Sequence, residues 1–354
     1  MSLDPAVAAV RLAVRRGLPV LSDGAGGRWV PETDVVVVAC SGGADSLALL
    51  AATVFELRRT PVRVVGAIVD HGLQDDSAAH TARVVGQMAA LGVDETVGAR
   101  VQVDPGGRGV EAAAREARYA VLGQVAESFG AQQVLLGHTL DDQAETALLG
   151  LTRGSGGRSV AGMRPRFSSP AAAARPADPP TTFVRPLLGV RRAQTEAACR
   201  AEGIDFWVDP HNSDPRFTRS RVRHTVLPLL ERELGPGVAE TLARTAEQLR
   251  PDMELLDSLA EAALVEHDHD GSFDVRALET LAQPVRTRLL RLAALRAGCP
   301  PSELFAVHVD ALEEQVWNRD KLPRTIQLPG HVSAVRSGDH LRFGPTDPAV
   351  GPTP

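Results

Sequence analysis

Residues 34–47 read Asp-Val-Val-Val-Val-Ala-Cys-Ser-Gly-Gly-Ala-Asp-Ser-Leu, and the reading of this stretch decides the fold. The run 34–40 is almost continuously apolar and β-branched, as a strand buried on both faces must be. Two glycines follow at once, and from Leu47 the pattern turns helical. A strand that bends sharply through glycine into a helix brings backbone N–H groups and the positive end of the helix to one point, which suits an anion. Ser41 and Ser46 add hydroxyl donors, while the backbone of Gly42, Gly43 and Ala44 lines the turn. Asp45 would repel a bare phosphate, so its presence calls for a bridging Mg²⁺ held against pyrophosphate. The plain structural alternative is a serine-glycine turn closed by Asp45 or Ser46 as helix cap. The lysine of a GxxxxGKS/T loop is missing, which points away from simple γ-phosphate cleavage.

Working outward, residues 62–69 and 133–137 are further buried strands, and 97–103 is a weaker, alternating one. Segments 46–58, 76–91, 109–129 and 141–151 carry helical periodicity between and after them. This alternation predicts an α/β fold with a doubly wound, mainly parallel sheet. Residues 164–182, rich in Pro, Ala and Ser, read as a mobile loop. Residues 190–202 are helical again, and 217–234 form a helical connector closed by Gly235-Pro236-Gly237. Helices at 238–265 and 285–297 and short strands within 326–343 predict a smaller α+β C-terminal domain. The expected division is therefore an N-terminal helix and lead-in over 1–33, a catalytic domain over 34–216, a connector over 217–235, a C-terminal domain over 236–345 and a disordered tail over 346–354.

With 44% hydrophobic and 23% charged residues, the 354-residue chain is ordinary globular material. No stretch approaches a membrane span, and residues 1–17 read as an amphipathic helix rather than a signal peptide, so a cytosolic protein without membrane contact is expected. Cys40, Cys199 and Cys299 lie far apart, which excludes a disulfide framework and a CxxC site. A net charge of -6 argues against a protein that coats nucleic acid indiscriminately. It leaves room for a local basic face: Arg216, Arg219, Arg221 and Arg223 crowd together beside His224. Arg286, Arg288, Arg291 and Arg296 form a second cluster, for which general use of arginine in place of lysine is an equal explanation.

Further motifs stand at predicted strand ends. Asp70-His71-Gly72-Leu73 follows the second strand, where α/β sheets bind ligands; a turn with an aspartate cap is the alternative. Arg115, Arg118 and Tyr119 share one helix face by their spacing. Gly137-His138-Thr139-Leu140-Asp141-Asp142-Gln143-Ala144-Glu145-Thr146 gathers a histidine and three carboxylates at the fourth strand's end. His138 and Asp142 there could hold a metal-bound phosphate or shuttle a proton, or the acids could cap the helix.

In content and order, SGGADS, DHGL, AREARY, GHTLDDQAET, LTRGSG (151–156), RPLL (185–188) and WVDPHNSDPRFTRSRVRHTVLPLL (207–230) resemble the tRNA(Ile)-lysidine synthetases of the PP-loop, N-type ATP pyrophosphatase superfamily. The resemblance covers roughly residues 34–232. It departs from the family pattern at Ser220, where an asparagine is usual, and the chain, shorter than the longest family members, is expected to hold one C-terminal domain rather than two. It implies an adenine nucleotide α-hydrolase-like fold, with ATP as substrate and Mg²⁺ as its ion. The substrates it implies are free L-lysine and a tRNA(Ile) with a CAU anticodon; a homodimer is compatible with it.

The expected reaction is attack of the cytosine carbonyl oxygen on the α-phosphate, followed by displacement of AMP by the lysine ε-amine. Expected roles are Ser41 to Ser46 and His71 at ATP, with Asp45 as metal ligand. Asp70 or His71 would orient nucleotide or base, and Arg115 would hold the α-phosphate or the activated base. His138, Asp142 and Glu145 would complete the catalytic group, the acids receiving the amine. Arg219, Arg221 and Arg223 would grip tRNA phosphates, and the C-terminal domain would read the acceptor stem or tRNA shape rather than base edges. Three rival readings remain: a tRNA thiolase, which would need a cysteine pair or cluster; a GMP or NAD synthetase type, which would need a glutaminase; and a non-catalytic binding protein.

Overall fold

A computed structural model describes residues 3–18, 35–70, 77–101, 110–153, 156–168, 181–209, 214–318 and 324–346. The chain divides into two compact units, 1–149 with 162–244, and 150–161 with 245–354. The second boundary falls at 244/245, inside a helix, rather than at the Gly235-Pro236-Gly237 turn.

The first unit is built on a six-stranded sheet of β1 (Val35–Ala39), β2 (Arg63–Asp70), β3 (Glu95–Arg100), β4 (Gln133–Leu135), β5 (Arg166–Ser168) and β6 (Thr182–Val184). Its order is β3-β2-β1-β4-β6-β5, parallel except for β5, which runs antiparallel to β6. Alternate residues of β1 and β2 supply two cores. Val36, Val38, Val64 and Ile68 face α1 (Pro5–Gly17), α2 (Ala44–Leu57), α3 (Ser77–Ala90) and a later helix, while Val35, Val37, Val65 and Ala67 face α4 (Val110–Phe129). Burial on both faces explains why these strands are continuously apolar. The helix α2 is apolar all round, with Leu47, Leu49 and Leu50 fully enclosed. At α1, the Asp4 carboxylate accepts from the Ala6 N–H at 2.8 Å and Pro5 opens the first turn.

Two local expectations change. Residues 166–168, read as part of a mobile loop, form β5, because Phe167 stacks on Phe183 at 5.2 Å and meets Tyr119 edge-on at 5.5 Å; residues 169–180 lie outside the described residues. The connector is a helix, α8, over 218–234, but its middle, Val222–Val226, winds as a π turn. Pro228 has no N–H for the carbonyl of His224, and the Leu227 N–H bonds Val222 O instead. Ahead of α8 in the chain come α5 (Leu140–Arg153), the short α6 (Gly157–Val160) and α7 (Arg192–Ala201).

The second unit holds an antiparallel sheet of order β7-β10-β9-β8, from Ser272–Asp274, His340–Pro345, Val332–Ser337 and Arg324–Leu328. The C-terminal part of α9 (Val238–His267) and the helices α10 (Val275–Thr280), α11 (Gln283–Arg296) and α12 (Ala306–Trp317) pack with it around Phe273, Leu289, Leu290, Leu312 and Leu341. The second arginine cluster is structural here. Arg286 grips Glu313 through Nε and Nη2, Arg288 pairs with Asp257 at 3.1 Å, Arg291 donates to Leu304 O at 2.5 Å, and Arg296 pairs with Asp268 at 2.9 Å.

Candidate active site

In the strand order, β1 and β4 are neighbours whose onward connections lead in opposite directions along the sheet, to β2 on one side and to β6 on the other, the switch point where doubly wound sheets open a crevice at their carboxyl ends. The loop 40–43 follows β1 on one side of it, and Gly137-His138-Thr139 follows β4 on the other. Gly42 has φ +83°, and a Cβ there would lie 2.5 Å from Val84 Cγ2, so a side chain is excluded twice over. Ser46 Oγ accepts from the Ser41 N–H at 3.1 Å and donates to Gly43 O at 2.9 Å, fastening the loop to the first turn of α2. The first-turn N–H groups, Ala44 and Asp45 among them, have no intrahelical acceptor and remain for a ligand. A Cβ on Gly137 would come within 3.1 Å of the Asp45 backbone, so glycine is what lets the β4 loop lie against the phosphate loop.

Four carboxylates and four guanidiniums converge beside that loop. Asp45 is held by Arg192 Nε at 3.4 Å and by the Thr195 hydroxyl, both on α7. Burial pushes the Asp45 carboxyl up to about 6, with the negative charge of Asp142 adding to it and Arg192 and Thr195 pulling the other way. Asp142 has two tasks. Its Oδ2 accepts from the Thr139 N–H at 2.8 Å and hydroxyl at 2.9 Å, capping α5, while Oδ1 faces Arg192 at 3.0 Å and Arg223 at 3.2 Å. Burial alone would raise it, but Arg192, Arg219 and the Thr139 N–H outweigh that and hold it down at about 2. Glu145 is fully enclosed and takes Arg219 Nε at 2.8 Å and Arg223 Nε at 2.7 Å. Asp141 accepts from the Arg192 N–H at 2.7 Å and from Arg191 at 3.1 Å. A cavity of about 190 Å³ opens against this cluster, lined by Asp141, Glu145, Arg191, Arg192, Arg223 and Glu231 among others.

Among the described residues no group of three or more His, Cys, Asp or Glu side chains is placed to hold a metal by itself. Asp45 does fit the looser arrangement Mg²⁺ favours, one or two carboxylates completed by substrate phosphates and water.

The predicted residues fall into three groups. Asp45, Asp142 and Glu145 lie together, joined through Arg192, beside Ser41 to Ser46. Asp70 ends β2, buried, with Arg100 Nε 3.9 Å away. Arg115 is exposed on α4, 5.3 Å from the Tyr119 ring, while Tyr119 itself is core, accepting from Arg185 Nη2 at 3.3 Å. His138 is no proton shuttle near neutral pH: burial first, then Arg185, pushes it down to about 3. Its Nδ1 accepts from Arg185 Nε at 3.3 Å, which leaves Nε2 carrying the proton as a donor. Arg219 and Arg223 do not form a free phosphate-gripping face, because their guanidiniums are turned onto Glu145 and Asp142. Arg221 is exposed and donates to Pro215 O at 2.7 Å and Arg216 O at 2.9 Å. His71 lies outside the described residues. Sequence reasoning missed Arg191, Arg192 and Thr195. Their signal was two arginines at the start of a helix, unfavourable against the helix dipole unless carboxylates face them.

The chain matches the PP-loop domain family over residues 25–230 and the TilS substrate binding domain over residues 273–342. It is 44% identical to the tRNA(Ile)-lysidine synthase of Streptomyces coelicolor, over 96% of this chain and 99% of that one. To the tRNA(Ile)-lysidine synthase of Thermobifida fusca it is 47% identical, over 92% and 94%. To that of Mycolicibacterium paratuberculosis it is 53% identical, over 74% of each. Among solved structures, the U34-tRNA thiolase NcsA from Methanococcus maripaludis with its 4Fe-4S cluster superposes with a TM-score of 0.51 at 16% identity, covering 69% of this chain and 78% of that one. That likeness is one of fold. Cys40, Cys199 and Cys299 are all free and buried in this chain.

Proposed function

Because this chain belongs to the tRNA(Ile)-lysidine synthase family, we propose that it joins free L-lysine to the wobble cytidine of a tRNA(Ile) with a CAU anticodon, consuming ATP and releasing AMP and pyrophosphate. The observation that carries the reading is the meeting of a phosphate loop with a buried carboxylate–arginine cluster at the β1/β4 switch point. In the first step the cytosine carbonyl oxygen attacks the α-phosphate of ATP. The N–H groups of Gly42, Gly43 and the first turn of α2 receive the charge that builds on the departing pyrophosphate. Mg²⁺ held at Asp45 would neutralise phosphate charge when bound. His138, neutral with its proton on Nε2, donates to a phosphate or base oxygen, and Arg115 stands ready for the α-phosphate.

In the second step the lysine ε-amine displaces AMP. The 190 Å³ cavity is our site for lysine: its carboxylates suit ammonium groups and its guanidiniums suit the α-carboxylate. Glu145 and Asp142 position the amine through their negative charge, and the proton it sheds on attack leaves to water. Residues 245–345, which include the match to the substrate binding domain, are assigned to holding the tRNA. No helix among the described residues is long and apolar enough to cross a membrane, and we place the enzyme in the cytoplasm, where ATP, lysine and tRNA meet.

The test is incubation with ATP, Mg²⁺, labelled lysine and a transcript of the isoleucine tRNA, following label in RNA and AMP release together. Label in that tRNA and not in methionine tRNA is the expected result. AMP release without label would point to another nucleophile, and neither product would sink the reading.

A further inference from the structure

Two residues given no role so far, His80 and Trp207, the latter opening the 207–230 motif, meet successive carbonyls of the phosphate loop. His80 lies in the first turn of α3, and its Nε2 is 3.0 Å from Ser41 O. Trp207 lies in the irregular segment after α7; its backbone N–H donates to Gly42 O at 2.9 Å, and its ring packs on His80 with centroids 4.1 Å apart. Val84, one turn beyond His80, closes on Gly42 from the same helix. The His80 Nδ1 atom is buried with no hydrogen-bond partner among the described residues. An unpaired buried acceptor is tolerated better than an unpaired buried N–H, so the proton sits on Nε2 and His80 donates to Ser41 O.

The consequence follows from peptide geometry. In a planar trans peptide the C=O of one residue and the N–H of the next point in opposite directions. Pinning Ser41 C=O to His80 turns the Gly42 N–H the other way, and pinning Gly42 C=O to Trp207 does the same for the Gly43 N–H. We infer that His80 and Trp207 are positioning residues: they hold two successive carbonyls at the back of the loop so that the N–H groups of Gly42 and Gly43 are aimed at the polyphosphate before it arrives. Glycine at both positions gives the loop its shape but also leaves it free to rotate, so an external clamp removes the reorganisation that binding would otherwise cost. The inference rests on the assignment of this loop to the phosphates of ATP.

The experiment is calorimetric titration of the purified full chain and its variants with Mg²⁺-pyrophosphate, and separately with AMP, beside a thermal unfolding curve for each. His80→Phe keeps a ring against Trp207 and removes the donor. It should weaken pyrophosphate binding about tenfold, the scale of one hydrogen bond serving a charged group, with AMP binding within about twofold of the parent on the same scale. His80→Gln carries an N–H donor at similar reach and should recover most of the loss. Pyrophosphate binding unchanged in His80→Phe, or no better in His80→Gln than in His80→Phe, overturns the clamp. Failure of the parent protein to bind pyrophosphate at all would overturn the phosphate-loop assignment with it, whereas failure to incorporate lysine would leave this titration untouched.

Discussion

Asp45 and Asp142 are carboxylates of one cluster pushed in opposite directions, Asp45 up to about 6 and Asp142 down to about 2. The linkage signs differ accordingly. Asp142 binds its proton less readily folded than unfolded, so its contribution is complete above the unfolded value of about 4 and is lost as pH falls towards 2. Asp45 binds its proton more readily when folded, so it costs stability as pH rises from about 4 through about 6. His138, pushed down to about 3, has the sign of Asp142 over the range up to its unfolded value of about 6.5, and would mask Asp45 in a simple stability curve. The difference between Asp45→Asn and the parent isolates the effect. In urea unfolding, the variant should gain on the parent between pH 4 and pH 7 by up to about 3 kcal/mol, while losing Mg²⁺-dependent AMP release. A difference that does not change with pH would remove burial as the cause. At this scale the acids of the site were legible because SGGADS and GHTLDDQAET are continuous motifs at strand ends. Arg192 and Thr195 reach Asp45 across 147 and 150 residues, and no local period records such a meeting.

Elements were legible where they are long. The strands β1 and β2 and the helices α2, α3, α4 and α5 appear where periodicity puts them, because burial on known faces fixes their composition. The three-residue β5 is too short to have a period, and the Pro, Ala and Ser around it dominate the reading. The π turn in α8 was equally hidden, although Pro228 is its cause. Arg223, which pairs with Glu145, lies within that turn. Pro228→Ala restores a donor to the helix and should let the π turn tighten, rotating Arg223 away; thermal stability should hold or rise while kcat drops about tenfold, as expected for a misplaced site group. A variant with unchanged kcat would show that the turn is incidental. Gly150 in α5 poses the reverse problem. Alanine there gains about 1 kcal/mol of helix propensity, yet its Cβ would lie 2.1 Å from the Ser159 carbonyl oxygen, which is backbone and cannot rotate aside. Overpacking of this kind costs about 1–3 kcal/mol, so Gly150→Ala should be the less stable protein in denaturant unfolding, against the propensity scale.

For the molecule as a whole, a net charge of -6 has to be reconciled with a polyanionic substrate. The sequence shows arginines crowded over 216–223 but cannot show which way each guanidinium turns, so Arg219, Arg221 and Arg223 read alike. In the folded chain they divide. Arg219 and Arg223 are neutralised by Asp142 and Glu145, whereas Arg221, among the described residues, bonds carbonyl and hydroxyl oxygens alone and keeps its charge at the surface. Neutral acceptors hold a guanidinium in place without cancelling its field, and it is the field that displaces counterions from RNA. Measured against log salt concentration, the tRNA affinity of Arg221→Ala should therefore have a slope smaller by about 0.7–0.9, the loss of one phosphate contact. Arg219→Ala and Arg223→Ala should leave that slope nearly unchanged. Their effect should fall on thermal stability and on AMP release, because each leaves Glu145 enclosed with less compensation. If instead the slope falls equally for all three, the ion pairs with Glu145 and Asp142 open when tRNA binds, and those carboxylates become available to the incoming lysine amine only in the RNA complex.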